Sequence, residues 1–366
     1  MLRRRFSKAV LHSILCGPVM ICAGCGGGGQ SSVESSNTRA TVVTTLPATS
    51  PTSAASDHSS PPPGSWSMGP RLDSAGNSST SSSSTASFGV VSVSCPTSTF
   101  CGAVGADGYA FTYTHGNWSG KKHIDTDSAA ALQSISCPTA MFCMAVDGHG
   151  TAFMLSDGSW SSGQQFESGI GNTTVACASS NFCVAADDQG NVFTYTGRSW
   201  SSADDIDSGG VIDGISCPIV TFCMAIDGAN SFTYSNGQWS GPEPVEMNGL
   251  DSISCPTSTF CSAVDGDGNV FSYERGAWSA AEVLDPDGGV LSSVSCPTTT
   301  FCTAVGGGSN PESPTGNAYT FESGTWLGGK QVDTSDYLVA VSCSSSTFCM
   351  AASGDGYVAA YSSNKD

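Results

Sequence analysis

Residues 254–279 read SCPTSTFCSAVDGDGNVFSYERGAWS, and this pattern recurs seven times along the chain. Its period is about 40 residues, a spacing at which repeated supersecondary units stack into propellers or solenoids. Each copy carries a cysteine, a second cysteine six residues later with Phe directly before it, and Ala two residues beyond. We therefore treat the repeat as the structural unit of the chain.

The repeat predicts four short strands and no helix. In the copy quoted above we expect strands over 250–255, 260–264, 269–273 and 278–284, because β-branched and aromatic residues alternate there between Asp-Gly and other Gly-containing turns. A four-stranded antiparallel unit of this length is typical of a propeller blade.

The two ends of the repeat array indicate a closed ring. The seventh copy stops after its third strand, near Tyr361, whereas the segment 64–73 carries the missing Gly-x-Trp-Ser strand ahead of the first copy. A solenoid gains nothing from this permutation, but a ring is closed by it. The chain resembles the β-propeller superfamily, which includes the WD40 and PQQ-type domains, over residues 64–366. It lacks the Gly-His and Trp-Asp motifs of WD40 repeats, so no binding residue is carried over from them. The expected fold class is all-β, a seven-bladed β-propeller with four-stranded blades closed by an N-terminal strand.

The repeat cysteines flank the short connection between the first two strands of each unit. Directly opposed residues on antiparallel strands lie within disulfide range. Zinc ligand pairs are normally separated by two to four intervening residues, whereas five separate the cysteines here. Disulfides imply an oxidising compartment. The expected pairs are Cys95–Cys101, Cys137–Cys143, Cys177–Cys183, Cys217–Cys223, Cys255–Cys261, Cys296–Cys302 and Cys343–Cys349.

The N-terminal part predicts export and a membrane anchor. Residues 1–24 combine a basic start with a short apolar stretch, as in a signal peptide. Small residues before Cys25 resemble a bacterial lipobox, although Cys22 stands where Leu is usual, and lipidation of Cys25 leaves only the paired repeat cysteines. Residues 25–63 are rich in Gly, Ser, Thr and Pro, which predicts a disordered tether. Ordinary signal cleavage and an uncleaved anchor are the alternatives.

The charge balance excludes one class of partner and suggests one surface. Lys and Arg total 12 against 31 Asp and Glu, a formal net charge of −19, so a nucleic-acid backbone is not an expected partner. The turns between second and third strands and the connections between blades should open on the same face, and both are acidic. Solubility of an exported protein is the plain alternative reading. The candidate binding face comprises Asp147, Asp187, Asp227, Asp265, Asp267, Asp285 and Asp287.

No catalytic motif is present in the sequence. The three histidines of the repeats occupy unrelated positions, and neither Gly-x-Ser-x-Gly nor His-Glu-x-x-His occurs. Residues 265–269 resemble the start of a calcium loop, but hairpin turns favour Asp and Gly without any ion. We therefore expect no metal and no cofactor. One long loop, residues 306–317, replaces a tight turn in the sixth repeat. It is either a recognition element or a tolerated insertion.

These observations predict a lipid-anchored, extracytoplasmic and monomeric propeller that binds or scaffolds a protein or polysaccharide of the cell envelope. The alternatives are an enzyme acting on glycans or peptides at the central channel and a purely structural envelope protein. An enzyme should bring carboxylates or histidines with shifted pKa values together at the channel.

Overall fold

The computed structural model describes residues 64–72, 89–119, 121–127, 131–169, 171–246, 249–310 and 314–363. The predicted signal peptide, Cys25 and the predicted tether lie outside the described residues. The described part is built from 31 β-strands, and it contains no helix that could cross a bilayer.

The strands form seven antiparallel sheets, one per repeat, which we number as blades 1 to 7. The chain begins with β1 (Ser65–Arg71), which belongs to the last blade. Blade 1 consists of β2 (Val90–Thr97), β3 (Phe100–Gly105), β4 (Tyr109–Thr114), β5 (Asn117–Trp118) and β6 (Lys122–His123). Blade 2 consists of β7 (Leu132–Thr139), β8 (Phe142–Asp147), β9 (Thr151–Ser156), β10 (Ser159–Trp160) and β11 (Gln164–Gln165). Blade 3 consists of β12 (Thr174–Ser179), β13 (Phe182–Ala186), β14 (Asn191–Tyr195) and β15 (Asp204–Asp205).

The remaining blades follow the same order. Blade 4 consists of β16 (Gly214–Ile219), β17 (Phe222–Ile226), β18 (Asn230–Ser235) and β19 (Gln238–Pro244). Blade 5 consists of β20 (Leu250–Thr257), β21 (Phe260–Asp265), β22 (Asn269–Glu274), β23 (Ala277–Trp278) and β24 (Glu282–Val283). Blade 6 consists of β25 (Val290–Thr298), β26 (Phe301–Gly307), β27 (Gly316–Glu322) and β28 (Thr325–Asp333). Blade 7 consists of β29 (Leu338–Ser345), β30 (Phe348–Ser353), β31 (Tyr357–Ser362) and β1.

The ring closes as the sequence predicts. Strand β1 pairs antiparallel with β31, and Trp66 lies 5.5 Å from the ring of Tyr361. Blade 5 contains the same contact between Trp278 and Tyr273, at 5.4 Å. The segment before the first cysteine repeat therefore occupies the fourth-strand position of blade 7, and the seven-bladed all-β fold is confirmed.

The hydrophobic core is divided into seven clusters, one at each junction between neighbouring blades. At the junction of blades 4 and 5, Phe222, Met224 and Ile226 pack on Leu250 and Phe271. The second strand of blade 5 is buried along its whole length, because it has a strand on each side and a neighbouring blade on each face. This explains why Phe-Cys-x-Ala is the most regular part of the repeat.

The fourth strand differs from the prediction in blade 5, where residues 278–284 form two short pieces instead of one strand. The hydroxyl of Ser279 accepts a hydrogen bond from Ser272 N at 3.0 Å, and Ser279 N donates to Ser272 O at 2.8 Å. The Ser of the Trp-Ser pair thus makes a side-chain bond to the third strand, and the following residues leave the ladder before pairing resumes at β24.

All seven predicted disulfides are present. Their sulfur atoms are 2.00–2.09 Å apart, and the Cα atoms of each pair are 3.9–4.1 Å apart. Cys177 lies directly opposite Cys183 in the ladder, and Cys343 opposite Cys349. Each bridge thus pins the loop between the first and second strands of its own blade.

Candidate functional site: the central channel and its acidic face

The first strands of the seven blades surround a central channel, since each of them contacts the first strands of both neighbouring blades. Each is also an edge strand of its own sheet, so alternate N–H groups face the channel without a ladder partner. Unpaired backbone donors need another acceptor or water. The way in which the chain meets this need determines the chemistry of the channel wall.

Serine hydroxyls supply most of these acceptors, and we call this arrangement the serine ladder. The Ser directly before the first cysteine of one blade accepts a hydrogen bond from the first cysteine N–H of the following blade, at 2.9 Å. These bonds are Ser94 to Cys137 N, Ser136 to Cys177 N, Ser216 to Cys255 N, Ser254 to Cys296 N, Ser295 to Cys343 N and Ser342 to Cys95 N. The last of them joins blade 7 to blade 1 across the closure of the ring.

A second row of the serine ladder lies two residues earlier in the strand. Its bonds, at 3.1–3.2 Å, are Ser92 to Ile135 N, Ser134 to Val175 N, Ser252 to Val294 N and Ser293 to Val341 N. These serines were not among the predicted site residues. The signal was available, however, because Ser-x-Ser-Cys recurs in several repeats on the strand that must line the axis.

The predicted acidic face holds the turns between second and third strands and the connections between blades. Four of the proposed binding residues are buried there: Asp147, Asp187, Asp227 and Asp265. Asp265 Oδ1 accepts from Asp267 N at 3.0 Å and from Asn269 N at 2.7 Å, and its Oδ2 accepts from Asn269 Nδ2 at 2.8 Å. Both carboxylate oxygens of Asp265 therefore serve the turn.

The other three turn aspartates play the same part. Asp147 Oδ1 accepts from His149 N at 2.9 Å and Thr151 N at 2.7 Å, and Asp187 and Asp227 cap their turns in the same way. These four residues are structural caps, because each is buried and accepts hydrogen bonds from the backbone of its own turn. Their assignment to a contact surface is therefore corrected.

Of the remaining three proposed residues, only two are exposed. Asp285 is buried and accepts a 2.6 Å hydrogen bond from the hydroxyl of Tyr319 in the next blade. Asp267 and Asp287 are exposed at the same face, and their backbone N–H groups donate to Asp265 and Asp285 respectively. The accessible acidic surface is thus narrower than the sequence indicated.

We call a further set of acids the junction acids. Each lies at the end of the fourth strand of its blade and faces the turn between the second and third strands of the next blade. The members described are Asp125, Glu167, Asp207, Glu246, Asp285 and Asp333. Burial raises the pKa of Asp125, Glu167 and Asp207, and the turn aspartate of the next blade raises each further. Burial likewise raises the pKa of Asp336, with Asp355 and Asp333 adding to it. Carboxyl groups are therefore crowded at the blade junctions.

The channel itself holds a cavity of about 310 Å³ among the first strands of blades 1 to 5. Its lining is Ser, Thr, Cys, Gly and aliphatic residues, with Asp213 and Asp251 at the end nearer the acidic face. None of the carboxyl groups with a raised pKa lines it. The catalytic alternative predicted such groups at the channel, and this cavity does not provide them.

The three repeat histidines are dispersed. His149 Nδ1 lies 2.9 Å from Asp127 Oδ2, and His123 stacks on Tyr109 with ring centroids 4.5 Å apart. Lys121 lies 3.9 Å above the Tyr109 ring and 3.4 Å from Asp107. Blade 1 is thus the part of the acidic face where positive groups are mixed in. Within the described part of the chain, no group of three or more His, Cys, Asp or Glu side chains is placed to hold a metal ion.

The opposite face carries the cysteine loops and the turns between third and fourth strands. Its loops expose apolar side chains in blades 2 and 4, namely Met141, Ile219 and Val220. Its few charges include Asp157, Glu274 and Arg275. The two faces therefore differ in charge, as the sequence indicated.

Comparison with known proteins identifies the fold but no family. No family model matches the chain, and no curated protein matches it. Among solved structures, YCF48 bound to a D1 peptide is similar with a TM-score of 0.61 and 13% identity, over 82% of this chain and 96% of that one. YCF48 from Cyanidioschyzon merolae is similar with a TM-score of 0.60 and 13% identity, over 82% and 99%. At this identity the likeness concerns the seven-bladed architecture alone.

Proposed function

We propose that the chain is a tethered, non-catalytic propeller that binds a protein partner through the acidic face around the channel mouth. The observation that carries this proposal is the difference between the faces, because exposed acids such as Asp205, Asp267 and Asp287 lie on one side of the ring and few charges on the other. A surface of this kind attracts a basic protein segment and steers its approach. One of the similar propellers, YCF48, is bound to a D1 peptide. This supports the proposal of a protein ligand for this chain.

The tether belongs to the same proposal. Lipidation of Cys25 would hold the ring at the outer side of a membrane through residues 25–63, so that a partner meets it at an envelope surface. Metabolic labelling with a palmitate analogue tests this step. Label on the wild-type chain and none on Cys25→Ser supports the anchor, and equal label on both contradicts it.

The binding face is tested by two variants of equal charge. Purified residues 64–366 serve as bait in envelope extracts, beside a variant with Asp205, Asp267 and Asp287 changed to Asn. The matched control carries Asp157→Asn, Glu274→Gln and Glu322→Gln, which remove the same charge near the opposite face.

We expect a protein crosslinked to the wild type and the control but at least tenfold less to the acidic-face variant. Equal loss in both variants would show a net-charge effect and reject the face assignment. Capture of no protein, together with binding to a glycan array, would replace the protein partner by a polysaccharide.

A further inference from the structure

Among the described residues, the serine ladder lacks its second-row bond at three junctions, those of blades 3 and 4, 4 and 5, and 7 and 1, and only at the junction of blades 3 and 4 are both rows broken. In blade 3, Ala176 takes the place of the serine that binds the next first cysteine, and Thr174 takes the place of the second-row serine. Ala176 has no hydroxyl, and the hydroxyl of Thr174 makes no hydrogen bond to Ile215 N, so among the described residues of blade 3 no side chain accepts from Ile215 N or Cys217 N. In blade 4, Gly214 occupies the second-row position that faces Ile253.

The cavity lies at the same place. Its wall includes Thr174, Ala176, Gly214, Ile215 and Cys217, so the backbone donors that the serine ladder leaves open face a space that a ligand can enter. Blades 6 and 7 contribute nothing to this wall. Open donors therefore coincide with open volume.

The acidic residues around the channel mouth are also unevenly distributed among the blades. Asp213 and Asp251 directly precede the second-row positions of blades 4 and 5 and line the cavity. The equivalent residues are Val91 in blade 1 and Val339 in blade 7. The junction of blades 3 and 4, where both rows are broken, and the neighbouring junction of blades 4 and 5 thus also have carboxylates at the channel mouth.

We propose that this wall binds an extended peptide segment carrying a basic residue, a step that rests on the proposed function and names its ligand. Carbonyl oxygens of the segment accept hydrogen bonds from Ile215 N and Cys217 N, as a strand added to a sheet edge does. A Lys or Arg side chain of the segment lies against Asp213 and Asp251. The residues that line the cavity include no aromatic ring on which a sugar could stack, which favours a peptide over a glycan.

The experiment uses a defined probe and reads the donors directly. Isotope-labelled residues 64–366 are titrated with acetyl-Gly-Lys-Gly-Lys-Gly-amide, and amide chemical shifts are followed by NMR. We expect the amides of Ile215 and Cys217 to shift, and the matched Glu peptide to leave them unchanged. Shifts confined to the outer surface, or equal shifts with both peptides, would overturn the proposal.

The variant Ala176→Ser completes the serine ladder in blade 3. It introduces the residue that six other blades carry at this position, so the fold should persist, which thermal unfolding verifies. We expect the affinity for the Lys peptide to fall about tenfold, the factor that corresponds to about 1.4 kcal/mol for one hydrogen bond. The variant with Asp213 and Asp251 changed to Asn should weaken binding separately through charge. Unchanged affinity in both would overturn the proposal.

Failure here is distinguishable from failure of the proposed function. If the acidic-face variant loses its crosslinked partner while Ala176→Ser keeps both partner and peptide affinity, the ring binds protein on its outer face and the channel site is wrong. If the wild type captures no protein at all, the proposed function itself is wrong.

Discussion

The hydroxyl of Tyr319 donates a 2.6 Å hydrogen bond to Asp285 Oδ2 at the junction of blades 5 and 6. Five other blades carry Phe at the position of Tyr319, and blade 6 has Gly306 where four blades have a turn aspartate. Burial raises the pKa of Tyr319, and the hydrogen bond to Asp285 raises it further. This side chain supplies the donor that keeps a buried carboxylate satisfied.

The change Tyr319→Phe tests that role. We expect the free energy of unfolding to fall by about 1–3 kcal/mol, because Asp285 Oδ2 then remains buried without its donor. Urea denaturation under non-reducing conditions measures the change. The control Tyr234→Phe, at the other aromatic position of a third strand, should have little effect, and an equal loss in both would contradict the assignment.

At the scale of the element, the first strand of each blade shows why the repeat contains Ser-x-Ser-Cys. The cysteine fixes the loop within the blade, and the serine before it binds the next blade. The Ser-Cys dipeptide therefore links the first strand both to the second strand of its own sheet and to the first strand of the next blade. The disulfide of such a short loop stabilises by about 2 kcal/mol on the loop-entropy account.

Two serines of blade 5 provide opposite predictions. Ser254→Ala removes the acceptor of Cys296 N and should lower the free energy of unfolding by about 1 kcal/mol. Ser262 is buried, and its hydroxyl has no partner within the described part of the chain, so Ser262→Ala should leave stability unchanged or raise it. Parallel denaturation curves measure both. A larger loss for Ser262→Ala than for Ser254→Ala would contradict the serine ladder.

The elements themselves were largely predictable from the sequence, and the use of their aspartates was not. Blade number, strand order, closure by β1 and all seven disulfides follow from repeat spacing. Asp265 and Asp267 occupy the same turn, yet one caps it and the other is exposed. Turn capping and surface recognition both favour Asp, so the sequence does not distinguish the two roles, and the three-dimensional structure does. The split of residues 278–284 was missed because Ser279 forms a side-chain bond that strand periodicity does not reveal.

At the scale of the whole molecule, closure depends on a strand that is nearly all exposed. Strand β1 contributes little burial apart from Trp66 on Tyr361, and Leu72 just beyond it reaches the core cluster of blades 7 and 1. Its main effect is to cover the edge of β31, which would otherwise offer unpaired backbone groups.

A chain that begins at residue 73 tests how much β1 contributes to the stability of the ring. We expect it to be less stable than residues 64–366 by about 2–5 kcal/mol, because it loses the buried Leu72 as well as the half-buried Trp66, and to self-associate through β31. Denaturation and light scattering measure both effects. Addition of the peptide 64–72 should restore the monomer, whereas an unchanged stability would mean that β1 does not close the ring.

The junction acids predict a pH dependence for the whole ring. A carboxyl whose pKa is raised by folding stabilises the native state below its unfolded pKa and loses this effect as pH rises through the folded value. Asp207, crowded by Asp227, is such a group. The stability of Asp207→Asn relative to the wild type should therefore increase as pH rises from about 4 to 8.

Thermal unfolding across this range measures the difference, and added salt should reduce it. Asp204→Asn, which alters an exposed acid of the same blade, serves as the control and should show no such slope. A difference for Asp207→Asn that is constant with pH would contradict the assigned cause.

The pairing of β1 with β31 also fixes an order of events during synthesis. Ser67 and its hydrogen-bond partner Ala360 are separated by 293 positions, so the first strand leaves the ribosome long before its partner exists. At about 5–20 residues per second the delay is about 15–60 s. Each disulfide, by contrast, joins cysteines six residues apart and can form as soon as its own hairpin reaches an oxidising compartment. The blades can thus mature one after another, while the ring stays open until the last strand has been made.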